Sequence, residues 1–225
     1  MVWSVTQRTA TLEMNGWQWG FHLDQPQFGV SVQPIGGAHW QLLQVHPSPA
    51  HACQVEESFA RGSDLMVRYG QSESDRFAFQ IDFRAVSQNA LGPFASGLDI
   101  WLSVQTQLLD SHPTLEVRNQ LLSAHFSAID SSGEPAADDS LAALFYQADA
   151  GCAAIMIHPS DRCQAELVSS PDALSSGVRL FGNFMEKGVI RRGRLRCLIG
   201  QAAIDQHQLV DAYAKFAASP LPLTT

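Results

Sequence analysis

Apolar and polar side chains alternate at every second position along most of this chain, and that period constrains the fold more than any other feature. Trp17, Trp19, Phe21 and Leu23 alternate with Gln18, Gly20 and His22, and Phe28, Val30 and Val32 with Gly29 and Ser31. Leu65, Val67 and Tyr69 stand opposite Met66 and Arg68, and Phe77, Phe79, Ile81 and Phe83 opposite Ala78, Gln80, Asp82 and Arg84. Ile100, Leu102 and Val104 face away from Trp101, Ser103 and Gln105. A period of two puts an apolar and a polar face on one extended strand, as an antiparallel sheet with one side in the core requires. Further strands are expected over 121–126, 144–148, 153–157, 178–184 and 189–199.

Turn-forming clusters separate these segments: Pro34-Ile35-Gly36-Gly37, His46-Pro47-Ser48-Pro49, Asn89-Ala90-Leu91-Gly92-Pro93, Asp130-Ser131-Ser132-Gly133-Glu134-Pro135 and Ser169-Ser170-Pro171-Asp172. Many short strands between closely spaced turns predict an all-β fold, a large antiparallel β-sandwich. The acidic 130–140 segment reads as a mobile loop, and strands of one kind continue on both sides of it. All 225 residues, 1–225, are therefore read as a single domain. After Gly200 the period changes. Leu209, Tyr213 and Phe216 fall at i, i+4 and i+7, which predicts a short C-terminal helix near 204–218, followed by Ser219-Pro220.

Composition narrows the function classes. Only 16% of residues are charged, against about 25% in a typical soluble domain, so Ser and Gln carry much of the surface. A net charge of −8 gives no overall field to hold phosphates, and no nucleic-acid partner is expected. No apolar run approaches the roughly 20 residues of a membrane helix, and Met1-Val2-Trp3-Ser4 does not open a signal peptide. Cys53, Cys152, Cys163 and Cys197 form no C-x-x-C pair and are expected as free, structural thiols, which together with the missing signal suggests a cytoplasmic protein. The eight histidines lack metal-ligand spacing, and P-loop, G-x-G-x-x-G and G-x-S-x-G motifs are missing. Neither a metal nor a cofactor is expected.

Positive charge is supplied almost wholly by arginine, since Lys187 and Lys215 are the only lysines. Four arginines lie in one segment, where Arg192, Arg194 and Arg196 share a strand face opposite Leu195, Cys197 and Ile199. Like charges in such a row repel unless they are answered by carboxylates such as Asp82, Asp99 or Glu166, or by a ligand. Both readings stand at this point.

Met185-Glu186-Lys187-Gly188-Val189-Ile190-Arg191-Arg192-Gly193-Arg194-Leu195-Arg196 resembles the late strand of galactose-mutarotase-like supersandwich proteins. Ser58-Phe59-Ala60-Arg61-Gly62-Ser63-Asp64-Leu65, Ser103-Val104-Gln105-Thr106-Gln107-Leu108-Leu109-Asp110 and Met156-Ile157-His158-Pro159-Ser160-Asp161 are similar to an uncharacterised bacterial family of that type. Together these segments span roughly residues 55 to 200. The resemblance implies a twisted antiparallel supersandwich with a concave, carbohydrate-facing sheet. In the mutarotases a histidine acid and a carboxylate base open and close a sugar ring, while many proteins of the wider fold only bind or support carbohydrate. No segment here matches the mutarotase catalytic motifs.

Several residues are candidates for chemistry. His158 and Asp161 offer an imidazole and a carboxylate at a strand end, suited to acid–base work or to a turn in which Asp161 accepts backbone N–H groups. Glu56, Glu57, Glu116 and Glu186 are the candidate bases, and His158 with Glu186 is the candidate catalytic pair. Arg61 and Asp64 flank a Gly62 turn that is either a plain hairpin or a polar rim. Trp101 falls on a polar strand face and serves either as a stacking platform for a sugar or within a second packed layer. The candidate ligand-binding set is Arg61, Asp64, Trp101, Asp161, Arg192 and Arg194. Three functions remain open: a carbohydrate-binding β-sandwich, an aldose-epimerase-like isomerase, and a protein–protein interaction module whose oligomeric state the sequence leaves open.

Overall fold

The alternating segments pair into antiparallel sheets. The computed structural model describes residues 3–34, 40–121, 124–149, 151–169, 176–201 and 203–220. Among them run β1 (Trp3–Val5), β2 (Thr9–Met14), β3 (Trp17–His22), β4 (Val30–Pro34), β5 (Trp40–Ser48), β6 (Val55–Arg61), β7 (Asp64–Tyr69) and β8 (Ala78–Ala85). They are followed by β9 (Ser96–Gln105), β10 (Thr114–Gln120), β11 (His125–Ile129), β12 (Ala143–Ala148), β13 (Gly151–Ile157), β14 (Ala165–Ser169), β15 (Ser176–Phe181), β16 (Ile190–Gly200) and α1 (Gln206–Ala217). One eight-stranded sheet has the order β1-β2-β3-β4-β5-β10-β15-β14, and the other β11-β12-β13-β16-β9-β8-β7-β6. The two antiparallel sheets pack face to face as a β-sandwich with one short C-terminal helix, as the alternation predicts.

The apolar parity of each strand faces this interface. Trp17, Trp19 and Phe21 of the first sheet meet Phe79, Ile81, Phe83, Ile100, Leu195 and Cys197 of the second in one buried cluster. Polar ties cross the same core. Trp19 Nε1 donates to Ser96 Oγ at 3.0 Å, and the Tyr69 hydroxyl donates to the Leu23 carbonyl at 2.8 Å. Asn119 Nδ2 donates to the Tyr146 hydroxyl at 3.2 Å, and that hydroxyl lies 2.8 Å from Ser176 Oγ. Asn119 Oδ1 also accepts the Leu43 N–H at 2.9 Å, where the β5–β10 register shifts and Leu43 has φ 56°. This bulge lets Leu42 and Leu43, adjacent in sequence, both enter the core.

Several strands differ from expectation, each for a local reason. The strand expected over 121–126 is found only at 125–126, the start of β11; Leu121 follows the end of β10, and 122–123 lie outside the described residues. Phe28 ends a 3-10 turn (Pro26–Phe28) rather than opening a strand. The next residue, Gly29, has φ 66°, and a Cβ there would lie 2.3 Å from the Leu42 carbonyl oxygen, so only glycine fits. The expected turn residues 35–37 and 170–172 lie outside the described residues, as does the Cys163 side chain. Cys53, Cys152 and Cys197 are buried free thiols, and burial pushes Cys53 and Cys152 up to about 11.

The helical stripe is observed with its cap. Asp205 accepts the Gln208 N–H at 2.8 Å while Gln208 Oε1 accepts the Asp205 N–H at 3.1 Å, a reciprocal box at the N-terminus of α1. Leu209, Ala212, Tyr213 and Phe216 are buried. Among the described residues no helix is long and apolar enough to cross a membrane. Replacing Tyr146 by Phe keeps the ring but leaves the buried Asn119 amide without its acceptor. Urea denaturation should show a loss of about 1–3 kcal/mol.

Candidate functional site

The outward face of the second sheet is divided in two by its own sequence. Where β12, β13 and the end of β16 point outward they carry Ala143, Ala154, Met156 and Leu198, a small and apolar seat for α1, with Leu91 and Phe94 closing its side. Toward the start of β16 the outward residues become polar. Strand register then sets them in rows across β16, β9, β8 and β7: Arg196–Asp99–Arg84–Asp64, Arg194–Trp101–Asp82–Met66 and Arg192–Ser103–Gln80–Arg68.

The first row alternates in sign. Arg196 grips Asp99 through two bonds, of 2.6 and 3.0 Å, and its guanidinium lies 4.7 Å from the Phe216 ring centre. Arg84 bonds Asp64 through Nε at 2.9 and 3.0 Å, with Nη2 at 2.7 Å from the same carboxylate. The Arg84 guanidinium also covers the Trp101 ring at 4.1 Å, so one ring face is already taken.

Behind the second row lies a buried polar network on the 3-10 turn (Pro159–Gln164). Asp161 Oδ2 accepts the Arg194 backbone N–H at 2.9 Å and lies 3.7 Å from its Nε. Arg194 Nη2 donates to Ser160 Oγ at 3.2 Å and also to His158 Nδ1. The Ser160 N–H donates to the same Nδ1 at 3.2 Å. Two N–H groups aimed at Nδ1 assign the neutral tautomer protonated on Nε2. Burial, reinforced by the Arg194 charge, lowers the His158 pKa, against opposition from Asp161 and the Ala217 carbonyl.

The third row lines an open cleft of about 80 Å³ whose walls include Arg68, Gln80, Ser103, Gln105, Ile190 and Arg192. Gln80 Nε2 donates to Asp82 at 2.7 Å, and Arg68 pairs with Glu56 at 2.8 Å. Burial raises the Asp82 pKa, opposed by the Gln80 bond and by the Arg192 and Arg84 charges. Ile190, 53% exposed, forms an apolar lip.

The structure brings Asp64, Trp101, Arg192 and Arg194 to this face, with His158 and Asp161 behind Arg194. Arg61 is exposed in the β6–β7 hairpin, register partner of Asp64. Glu186 is not brought to His158. Glu186 lies in the turn before β16, where its carbonyl accepts the Val189 N–H, whereas the His158 N–H bonds the carbonyl of Arg194, about 13 Å along the strand from its first residue, Ile190. Glu116 is on the other sheet, bonded to Arg118 and 3.7 Å from Arg179, with His46 as its register partner. Glu166 pairs with Arg179 rather than with the β16 arginines. The cleft residues Gln80, Gln105 and Arg68 were not singled out from sequence, although their outward parity was readable from the alternation that also marks Trp101. Among the described residues no group of three His, Cys, Asp or Glu is placed to hold a metal.

No family model matches this sequence, and no curated protein does so by sequence comparison. Solved structures do match by shape. A mutant of the heparan sulfate lyase HepC from Pedobacter heparinus aligns with TM-score 0.56 and 8% identity over 90% of this chain. The alpha-N-acetylgalactosaminidase NagBb from Bifidobacterium bifidum, in complex with GalNAc, aligns with TM-score 0.53 and 12% identity over 92%. This chain spans 37% and 38% of those two chains, respectively. At such identities the likeness is one of fold.

Two outcomes follow from the networks. Asp99→Ala leaves Arg196, 4% exposed, as an unanswered buried charge, and should cost about 3–5 kcal/mol in chemical denaturation. Part of that loss should return in the Asp99→Ala/Arg196→Met double variant. The second outcome concerns pH. His158 and His46 both have lowered pKa values, through burial first and then a neighbouring arginine. The unfolded chain therefore binds protons at a higher pH than the folded one. The stabilisation is complete above the unfolded value of about 6.5 and is lost as pH falls below it. The thermal midpoint should drop between about pH 7.5 and 5.5, and the His158→Gln/His46→Gln variant should flatten that drop.

Proposed function

We propose that this chain is a carbohydrate-binding β-sandwich of the galactose-mutarotase-like supersandwich type, a single domain over residues 1–225 with its helix docked on one sheet. The ligand site is the cleft over the Arg192–Ser103–Gln80–Arg68 row. The observation that carries this reading is the composition of that row. Sugar hydroxyls both donate and accept, and Ser103, Gln80 and Gln105 do the same, while Arg192 adds a free donor fork at one end and Arg68, paired with Glu56, closes the other. A face of this kind matches a polyhydroxylated ligand better than an apolar or a metal-bearing one.

Both structural neighbours are named as carbohydrate-processing enzymes, a heparan sulfate lyase and an N-acetylgalactosaminidase, which supports a carbohydrate ligand for this chain. Binding is favoured over turnover because His158 Nδ1 is committed to Arg194 and Ser160, and Glu186 stands far from it. Arg194 and Asp161 then support the face from behind, Trp101 borders it, and Asp64, two rows away, is held by Arg84, with Arg61 at the hairpin beyond.

Isothermal calorimetry against a panel of neutral and acidic oligosaccharides tests the reading. At least one should bind, and Ser103→Tyr, which fills the centre of the cleft from an outward position, should weaken that binding more than about tenfold, or about 1.4 kcal/mol. The thermal midpoint of the variant should stay near that of the parent. A panel without binding, or binding indifferent to Ser103→Tyr, overturns the assignment.

A further inference from the structure

Arg192 differs from the other two arginines on its strand face. Arg194 and Arg196 are 5% and 4% exposed and are met by Asp161 and Asp99. Arg192 is exposed, and among the described residues its side chain makes neither a hydrogen bond nor an ion pair. Asp82, in the adjacent row, feels its charge but is bonded by Gln80, and burial works against its ionisation. At the far end of the row Arg68 is already paired with Glu56. The cleft thus has an unanswered cation at one end only. Just before β16, Glu186 and Lys187 are exposed and adjacent in sequence with opposite charges, and the Arg191 side chain is turned to the Phe184 carbonyl at 2.9 Å.

The shape of the cleft adds a second constraint. At roughly 80 Å³ it is a groove open to solvent along the sheet rather than a chamber around a sugar ring. The row itself crosses four strands, and at about 4.8 Å per step its ends lie about 14 Å apart, longer than a single ring. A surface that is shallow but long suits a chain lying on it.

We infer that the ligand is an acidic oligosaccharide laid across β16, β9, β8 and β7, with a uronate-type carboxylate on Arg192 and ring hydroxyls on Ser103 and Gln80. This rests on the carbohydrate reading and narrows it. A carboxylate presents two coplanar oxygens, the group a free guanidinium fork binds best, through paired charge-assisted hydrogen bonds. The net charge of −8 does not attract such a chain from a distance, so the preference comes from the local fork rather than from the field of the whole protein.

The test pairs each acidic oligomer with its own neutral form. Dimers and tetramers of galacturonate, glucuronate and mannuronate are titrated beside their carboxyl-reduced counterparts. At least one acidic tetramer should bind about tenfold tighter than its reduced form, and tighter than its dimer. Arg192→Gln should abolish the preference by weakening the acidic form far more than the reduced form, with the thermal midpoint unchanged, and Arg192→Lys, with charge but no fork, should restore part of it. Equal binding of acidic and reduced chains, or a preference that survives Arg192→Gln, overturns the inference and leaves the carbohydrate reading in place. Failure of every acidic and neutral chain to bind removes both.

Discussion

Two buried guanidiniums set the terms for the second sheet. Arg194 and Arg196 sit in the middle of β16, the strand that joins the helix-covered half of the sheet to its open half. An unpaired charge at that depth would cost several kcal/mol, so the fold must deliver a carboxylate to each one. It does so from different directions. Asp99 comes from the neighbouring strand β9, in register, while Asp161 comes from the turn that follows β13 on the other side. The turn is held in place by the same bonds, because Asp161 also accepts the Arg194 backbone N–H and His158 accepts from the side chain. Charge pairing, strand order and loop conformation are one arrangement here.

That arrangement decides where the helix can sit. Phe216 covers the Arg196 guanidinium, and Tyr213 receives Arg162 Nε at 3.0 Å while donating to the Ile157 carbonyl at 3.2 Å. The helix excludes water from the paired arginines and in doing so strengthens the pairs. It does not extend over β9, β8 and β7, whose outward side chains are too polar to seat an apolar stripe. The open half of the sheet is therefore a consequence of the same strand-by-strand alternation that built the core.

Much of this was legible in the sequence, and the parts that were not share a cause. Strand parity is a local property, so the core faces of β3, β8, β9 and β16 and the outward placement of Trp101, Arg192, Arg194 and Arg196 could all be read directly. The apolar stripe of α1 was equally plain. β6 was not, because it is an edge strand with little buried on either side, and its residues show no alternation to read. The 121–126 segment reads as one strand although only 125–126 belong to β11, and the register of β10 around Asn119 depends on Leu43, which is 76 residues away. The partner of Arg196 is 97 residues away, so Asp99 could be named only as one of several carboxylates. Strand order, which no local pattern encodes, chose among them.

The same logic explains why one arginine of three is left over. Moving along β16 toward its start, the strand leaves the shelter of α1 and its outward residues pass from buried to exposed. A buried guanidinium has to be paired for the chain to fold, whereas an exposed one costs little when water solvates it. The fold therefore constrains Arg194 and Arg196 and places almost no constraint on Arg192. Its neighbours in the row, Ser103 and Gln80, are likewise dispensable to a core they do not enter. Side chains that stability does not require, gathered on a rigid sheet beside a rigid network, are free to be used for recognition.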